Sequence, residues 1–528
     1  MIVGIILVVY VAFAIAIGIY FNRKSKKTVN EFVLGGRTVG PWITAFAYGT
    51  SYFSAVIFVG YAGQFGWNFG IASTWIGLGN AFIGSLMAWA IMGRRTRVMS
   101  KHLESATMPE FFEKRYMSKT LKIVAALIVF VFLIPYTASV YNGLSRLFGM
   151  AFNVDYSVCV IGMAVITAVY VILGGYKATA YNDFVQGIIM LLGIAAVIIA
   201  TLMSKGGFYS AITQLSEVPV ESGKMAGMSG GFASFFGPDP MNLLGVIILT
   251  SLGTWGLPQM VTKFYTIKDE RSIKSGTVVS TVFAIVVAGG CYFLGGFGRI
   301  FVEAGADGKP VEGFDSIVPT MLENLPEILI GIVVVLVLSA SMSTLSSLVL
   351  TSSSTLTLDL IKPIICKGKL SEKKTLVVMR AFIGLFLVIS VIIALNKNAL
   401  ISDLMGYSWG ALAGAFLAPF LLGLFWKGVT RAGVYASFIF GIGATVVHLV
   451  MKSMGALSGE ILGFTVASPV NLGAFTMIAG LIIVPLVSVV TPKLKKDDVD
   501  RIFSCYHEKV TVKHEMVLTD DEAPVEIK

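Results

Sequence analysis

Thr250-Ser251-Leu252-Gly253-Thr254-Trp255-Gly256-Leu257-Pro258 interrupts an otherwise apolar run at residues 242–264. Gly253, Gly256 and Pro258 are helix breakers, and a hydrocarbon core offers no water to the backbone groups that a break frees. A second interruption, Gly49-Thr50-Ser51-Tyr52-Phe53-Ser54, lies in the run 41–65. Hydropathy reads about thirteen transmembrane helices, at 2–21, 41–65, 71–93, 121–147, 155–174, 181–203, 242–264, 275–300, 326–354, 376–395, 400–424, 432–452 and 471–490. The interrupted runs are spans 2 and 7, so they cross in opposite directions. Close packing through small residues is the better reading of one such break. A pair at corresponding positions reads as a midplane binding site between two inverted five-helix repeats, spans 2–6 and 7–11. The expected organisation is a peripheral helix and basic loop at 1–40, a core at 41–424, peripheral helices at 425–490 and a tail at 491–528.

Of 528 residues, 56% are hydrophobic and 13% charged. Soluble proteins carry roughly a quarter charged residues, so the chain reads as an all-α integral membrane protein. The basic cluster follows the first apolar run and no small-residue cleavage site is visible, which marks a retained helix rather than a signal peptide. A net charge of +10 raises the question of nucleic acid, but the cations are distributed by loop. Arg23, Lys24, Lys26, Lys27 and Arg37 follow span 1. Lys263, Lys268, Arg271 and Lys274 follow span 7, and Lys362, Lys367, Lys369, Lys373 and Lys374 follow span 9. The alternate loops are poor in Lys and Arg. The positive-inside rule then gives a multi-pass protein of the cell membrane with its N-terminus outside and its C-terminus cytoplasmic. The expected partners are membrane lipid and transported ligands, with no nucleic acid. Four cysteines are too few for a disulfide framework. Cys505, His507 and His514 form a weak metal pattern, for which a solvated tail is the stronger reading.

Span 9 carries Leu338-Ser339-Ala340-Ser341-Met342-Ser343-Thr344-Leu345-Ser346-Ser347. Interhelical bonds or bonding back to i−4 carbonyls would account for two or three of these hydroxyls, not six. Ser339, Ser343, Ser346 and Ser347 share one helical face, with Ala340 and Thr344 on the neighbouring strip. Neutral oxygens suit a small hard cation, so the chain reads as an ion-coupled transporter. Asp183, after Gly174-Gly175-Tyr176, is either a helix cap or an anionic ligand facing the stripe. Asn80 and Tyr136 either face a cavity or pack, and His448 reads as interfacial. Most aromatics read as lipid-facing or belt residues. The loop 204–241 is expected to hold short helices or a lid.

At these residues the chain resembles the sodium:solute symporter family, nearest its proline and pantothenate branches. The resemblance is carried by Leu34-Gly35-Gly36-Arg37, by Gly174-Gly175 through Asp183 and Gln186, by Gly256-Leu257-Pro258 and by Met342-Ser343-Thr344-Leu345-Ser346. It implies a leucine-transporter-like fold of 5+5 inverted repeats with the first helix of each broken. It also implies a sodium-coupled symporter that imports a small organic solute, an amino acid such as proline or a small carboxylate, by alternating access. A pantothenate or monocarboxylate symporter is the alternative. One sodium (Na+) would be held by the carbonyls of Thr50, Phe53 and Ala340 and the hydroxyls of Ser343 and Thr344. A second sodium, as in sialic acid symporters, would use Asp183, Ser343, Ser346 and Ser347. The solute would meet Tyr52, Val56, Tyr136, Thr250, Thr254 and Trp255. Tyr52 and Val56 stand where the proline branch has an aspartate and a tryptophan, and Thr250 and Thr254 where it has an aromatic pair, which counts against proline. A monomer is expected to be the functional unit.

Two other classes compete. Proton coupling through Asp183 would make uptake follow pH and ignore sodium. An intramembrane serine hydrolase would pair a span-9 serine with His448, but those serines lack a flanking glycine motif and outnumber a nucleophile's needs. No enzyme activity is expected.

Overall fold

The computed structural model describes residues 2–24, 28–221, 225–306, 308–323, 325–395 and 400–506. His507 and His514 of the tail and Lys26 and Lys27 of the first basic loop lie outside the described residues. Among the described residues, the one strand pair is a short hairpin, Glu460–Ile461 with Phe464–Thr465. Nine helices there are long and apolar enough to cross a membrane, or ten with the bent pair of span 7, and Gly4–Tyr20 and Tyr156–Val169 are shorter apolar helices. Gly70, at φ 61 and ψ −143, interrupts the long run Val56–His102 between spans 2 and 3. The result is an all-helical membrane protein of roughly ten to thirteen spans.

Span 2 breaks where its polar residues interrupt the apolar run. Helix Pro41–Tyr52 ends at Phe53, which is extended at φ −97 and ψ 127. Ser54 then starts the second half. Its carbonyl accepts from the Ile57 and Phe58 amides at 3.0 and 3.1 Å, and its hydroxyl accepts from the Val56 amide at 3.2 Å. Such a serine cap contributes about 1 kcal/mol. Span 7 breaks in the same manner. Helix Pro240–Gly256 stops at Leu257, φ −81 and ψ 123, and Pro258–Thr266 opens with a proline where a missing N–H is harmless. The halves are bent by 47°. Gly253 and Gly256, read above as breakers, instead lie within the helix and permit close packing. A Cβ on Gly253 would lie 2.7 Å from the Trp409 ring, and one on Gly256 2.9 Å from the Leu417 backbone.

Spans 5 and 6 form the run Tyr156–Met203, which leaves helical geometry at Gly175, φ 59. Asp183 therefore sits roughly two turns inside span 6, too deep to be its cap. Spans 2, 3, 8 and 9 carry π-helical turns at Val56–Tyr61, Asn80–Met87, Trp89–Gly93, Ile285–Gly289 and Leu356–Ile365. The second half of span 2 meets span 8 backbone to backbone. A Cβ on Gly66 would lie 2.0 Å from the Gly295 carbonyl oxygen, and one on Gly295 2.0 Å from that of Ala62. Glycine at such crossings lets membrane helices approach closely.

The loop 204–241 contains the helix Phe208–Glu217. It then closes over the turn at Gly70, where the Ile71 amide donates to the Phe232 carbonyl at 2.8 Å and the Trp75 indole to that of Phe235 at 2.9 Å. Arg299 fastens this corner, donating to the Trp67 carbonyl at 2.7 Å and pairing twice with Glu221, at 2.7 and 3.0 Å. On the face with the basic loops, the tail helix Lys496–Phe503 docks, with Arg115 over Phe503 and Arg95 over Tyr506.

Candidate functional site

The break at Phe53 leaves the last carbonyls of helix Pro41–Tyr52 without helical partners. Span 9, Glu327–Thr355, packs across the gap. The Thr344 hydroxyl lies 3.4, 3.3 and 3.1 Å from the carbonyl oxygens of Thr50, Ser51 and Phe53. One hydroxyl hydrogen satisfies one acceptor, so the remaining lone pairs converge in a buried space. Ser343 donates to Thr50 Oγ1 at 2.8 Å, and Ser341 accepts from the Ala55 amide at 3.3 Å. The hydroxyls of Ser51 and Ser347 are bonded at 2.8 Å. Ala340, about one turn before Thr344, is fully buried. Several carbonyl and hydroxyl oxygens thus gather around one point with no charge of their own, an environment that suits a hard cation.

Asp183, fully buried in span 6, faces the Ser343 hydroxyl and the ammonium of Lys263, which lies 3.8 Å from Oδ2. Lys263 donates to Ser347 Oγ at 3.0 Å and sits over the Tyr176 ring. Counting Lys263 among the loop cations after span 7 is corrected here: it lies inside the helix Pro258–Thr266 and is 2% exposed. The available signal was its apolar setting, Met260, Val261, Phe264 and Tyr265. Ser346 donates to the Ser343 carbonyl of its own helix at 2.9 Å. Of the four residues expected around a second ion, Asp183, Ser343 and Ser347 come together, with an ammonium among them.

The Tyr52 hydroxyl, at the break of span 2, donates to the Thr250 carbonyl of span 7 at 3.4 Å. Tyr52 and Tyr136 flank Trp409 of span 11, Ile401–Phe425, at ring distances of 5.9 and 5.8 Å. Trp409 is buried, and reading the aromatics mainly as belt residues missed it. Val56, also buried, begins the second half of span 2. Thr254 donates toward the carbonyls of Gly84 and Ser251 at 3.0 and 2.9 Å, and Trp255 to that of Ile83 at 3.0 Å, so both are engaged by span 3 or their own helix. A cavity of ≈ 10 Å³ lies among Tyr52, Asn80, Gly84, Thr254 and Ser280. His448 is bonded to the Tyr407 hydroxyl at 3.2 Å and the Val466 carbonyl at 2.8 Å, not to a span-9 serine.

The family model described as Sodium:solute symporter family matches residues 32–441. The chain belongs to the sodium:solute symporter family. It is a sodium-coupled transporter of a small solute and a multi-pass membrane protein, not an enzyme. Sodium/proline symporters of Staphylococcus aureus, from strains JH9 and COL, are 30% identical to this symporter over 500 residues, covering 93% of this chain and 92% of theirs. A Na+-coupled sialic acid symporter, solved in a substrate-bound outward-open state, overlays with a TM-score of 0.70 at 15% identity, over 94% of this chain and 98% of that one. A manganese transporter of Eremococcus coleocola overlays at 0.50 and 13% identity, over 88% and 95%. At these identities the likeness is one of fold, the leucine-transporter fold with its 5+5 inverted repeat and broken first helices.

Proposed function

We propose that this symporter binds sodium in the gap between spans 2 and 9 and uses it to import a small amino acid such as proline, or a small carboxylate. The observation that carries this reading is the convergence of the Thr50, Ser51 and Phe53 carbonyls on Thr344 Oγ1. Sodium there takes the carbonyls of Thr50, Phe53 and Ala340 and the hydroxyls of Ser343 and Thr344. The ion ties the broken span 2 to span 9, so its arrival and departure bias the relative position of the two. The sodium/proline relatives support an amino-acid solute. The solute sits between spans 2 and 7, against Tyr52, Val56, Tyr136, Thr250, Thr254 and Trp255, with Trp409 packed on Tyr52 and Tyr136. The cavity of ≈ 10 Å³ beside Tyr52 and Thr254 holds about one water, so on this reading a solute enters only when spans 2 and 7 separate. The loop charges support an external N-terminus and a cytoplasmic C-terminus. One sodium crossing ~100 mV releases about 2.3 kcal/mol and a tenfold gradient about 1.4 kcal/mol more, enough for accumulation on the order of 500-fold.

The test is uptake into proteoliposomes from labelled proline, other amino acids, pantothenate and short carboxylates, with and without an inward sodium gradient. A solute accumulated only with sodium is the expected result; uptake that follows pH and ignores sodium sinks the reading. Trp409→Leu is expected to weaken apparent solute affinity by up to about tenfold, since it removes a ring of the proposed solute site and one aromatic contact is worth about 0.5–1.5 kcal/mol. The sodium dependence of the remaining uptake should not move. A variant with wild-type solute affinity would remove Trp409 from the solute site.

A further inference from the structure

We infer that the Lys263 ammonium is a built-in cation that fills the Asp183–Ser347 position, so that this symporter carries one sodium where the same oxygen cluster without the lysine would take two. The inference rests on the sodium-symport reading above. Asp183 is fully buried and makes no hydrogen bond of normal length and angle. An isolated carboxylate in such a place is costly without a cation. Lys263 supplies one, 3.8 Å from Oδ2, while donating to Ser347 Oγ at 3.0 Å. Among the described residues, Lys263 is the lysine shut away from solvent. A cavity of ≈ 20 Å³, room for about one water, is bordered by Lys263, Gln259, Thr262, Ser347 and Thr351, so the ammonium lies beside space that a small ion could use if the lysine were absent.

Charge decides the stoichiometry. Asp183 and Lys263 together are neutral. A sodium added beside them would leave a net positive charge in a low-dielectric interior, where like charges a few ångströms apart repel strongly. The sodium proposed at Thr344 meets only neutral oxygens and is not displaced. Ser347 also bonds Ser51, so the tethered cation is linked through two hydroxyls to the break of span 2.

The experiment is equilibrium binding of radioactive sodium to purified, monodisperse protein, counted per chain, for the wild type, Lys263→Gln, Lys263→Arg and the double variant Asp183→Asn/Lys263→Gln. Lys263→Gln is expected to bind one sodium more than the wild type, two against one. Lys263→Arg, which keeps the charge, and the double variant, which removes both charges, should show no gain. A Lys263→Gln protein with the wild-type count overturns the inference. Should that variant fail to fold, the wild-type ratio of sodium to solute flux decides: one supports the inference and two overturns it. A wild type that binds no sodium would sink the sodium-site reading, whereas the increment on removing Lys263 would still judge this one.

Discussion

Thr344→Ala is expected to raise the sodium concentration for half-maximal uptake by about tenfold to a hundredfold. The hydroxyl lies within 3.4 Å of three break carbonyls at once. A contact to a charged partner contributes about 1.5–3 kcal/mol, and every 1.4 kcal/mol is tenfold. Alanine is an apolar, strong helix former, so span 9 should insert as before and the maximal rate at saturating sodium should fall less than the affinity. Ser343→Ala should act in the same direction and more weakly, because its hydroxyl reaches the gap beside Thr50 Oγ1. Sodium titration of uptake in both variants is the check. Unchanged sodium dependence in both would remove the ion from this gap.

Gly66→Val should abolish the folded transporter. The new side chain would have to occupy the position of the Gly295 carbonyl oxygen, 2.0 Å from its Cβ. A flexible neighbour could turn aside, but a backbone carbonyl in a helix moves only with its helix, and overpacking against softer neighbours already costs about 1–3 kcal/mol. Gly162→Val and Gly384→Val are the controls, since a Cβ at either meets nothing within 4 Å. The measurement is the monodisperse yield and thermal melting of each variant in detergent. A Gly66→Val protein that melts like the wild type would mean that spans 2 and 8 do not cross at this distance.

The two helix breaks were legible because proline, serine and small residues inside apolar runs have few uses other than freeing backbone. The stripe of span 9 was legible because six hydroxyls exceed what packing needs. Lys263 was not, because a lysine five residues past a proline and close to Lys268, Arg271 and Lys274 has the local pattern of a loop. Only the bend of span 7 carries it back inside. Trp409 was missed for a related reason. Tryptophan serves equally in the membrane belt and the interior, and its meaning is set by Gly253, which is far away in sequence and leaves the space its ring fills. Asp183 resembled a cap until Gly175 put the start of its helix two turns earlier.

A π turn holds an extra residue against the α turn it replaces. Passing that residue to the next turn advances the chain by about 1.5 Å and rotates it by roughly 100°, with most hydrogen bonds kept. Among the described residues, spans 2, 3, 8 and 9 carry these turns and the other spans do not. Each of the four therefore has slack in its thread that would let it turn against neighbours of fixed pitch. Motion in this protein need not be the swing of rigid rods about a hinge; it can be a change of winding, with the oxygens proposed to hold sodium on spans 2 and 9 brought into or out of line as the thread advances.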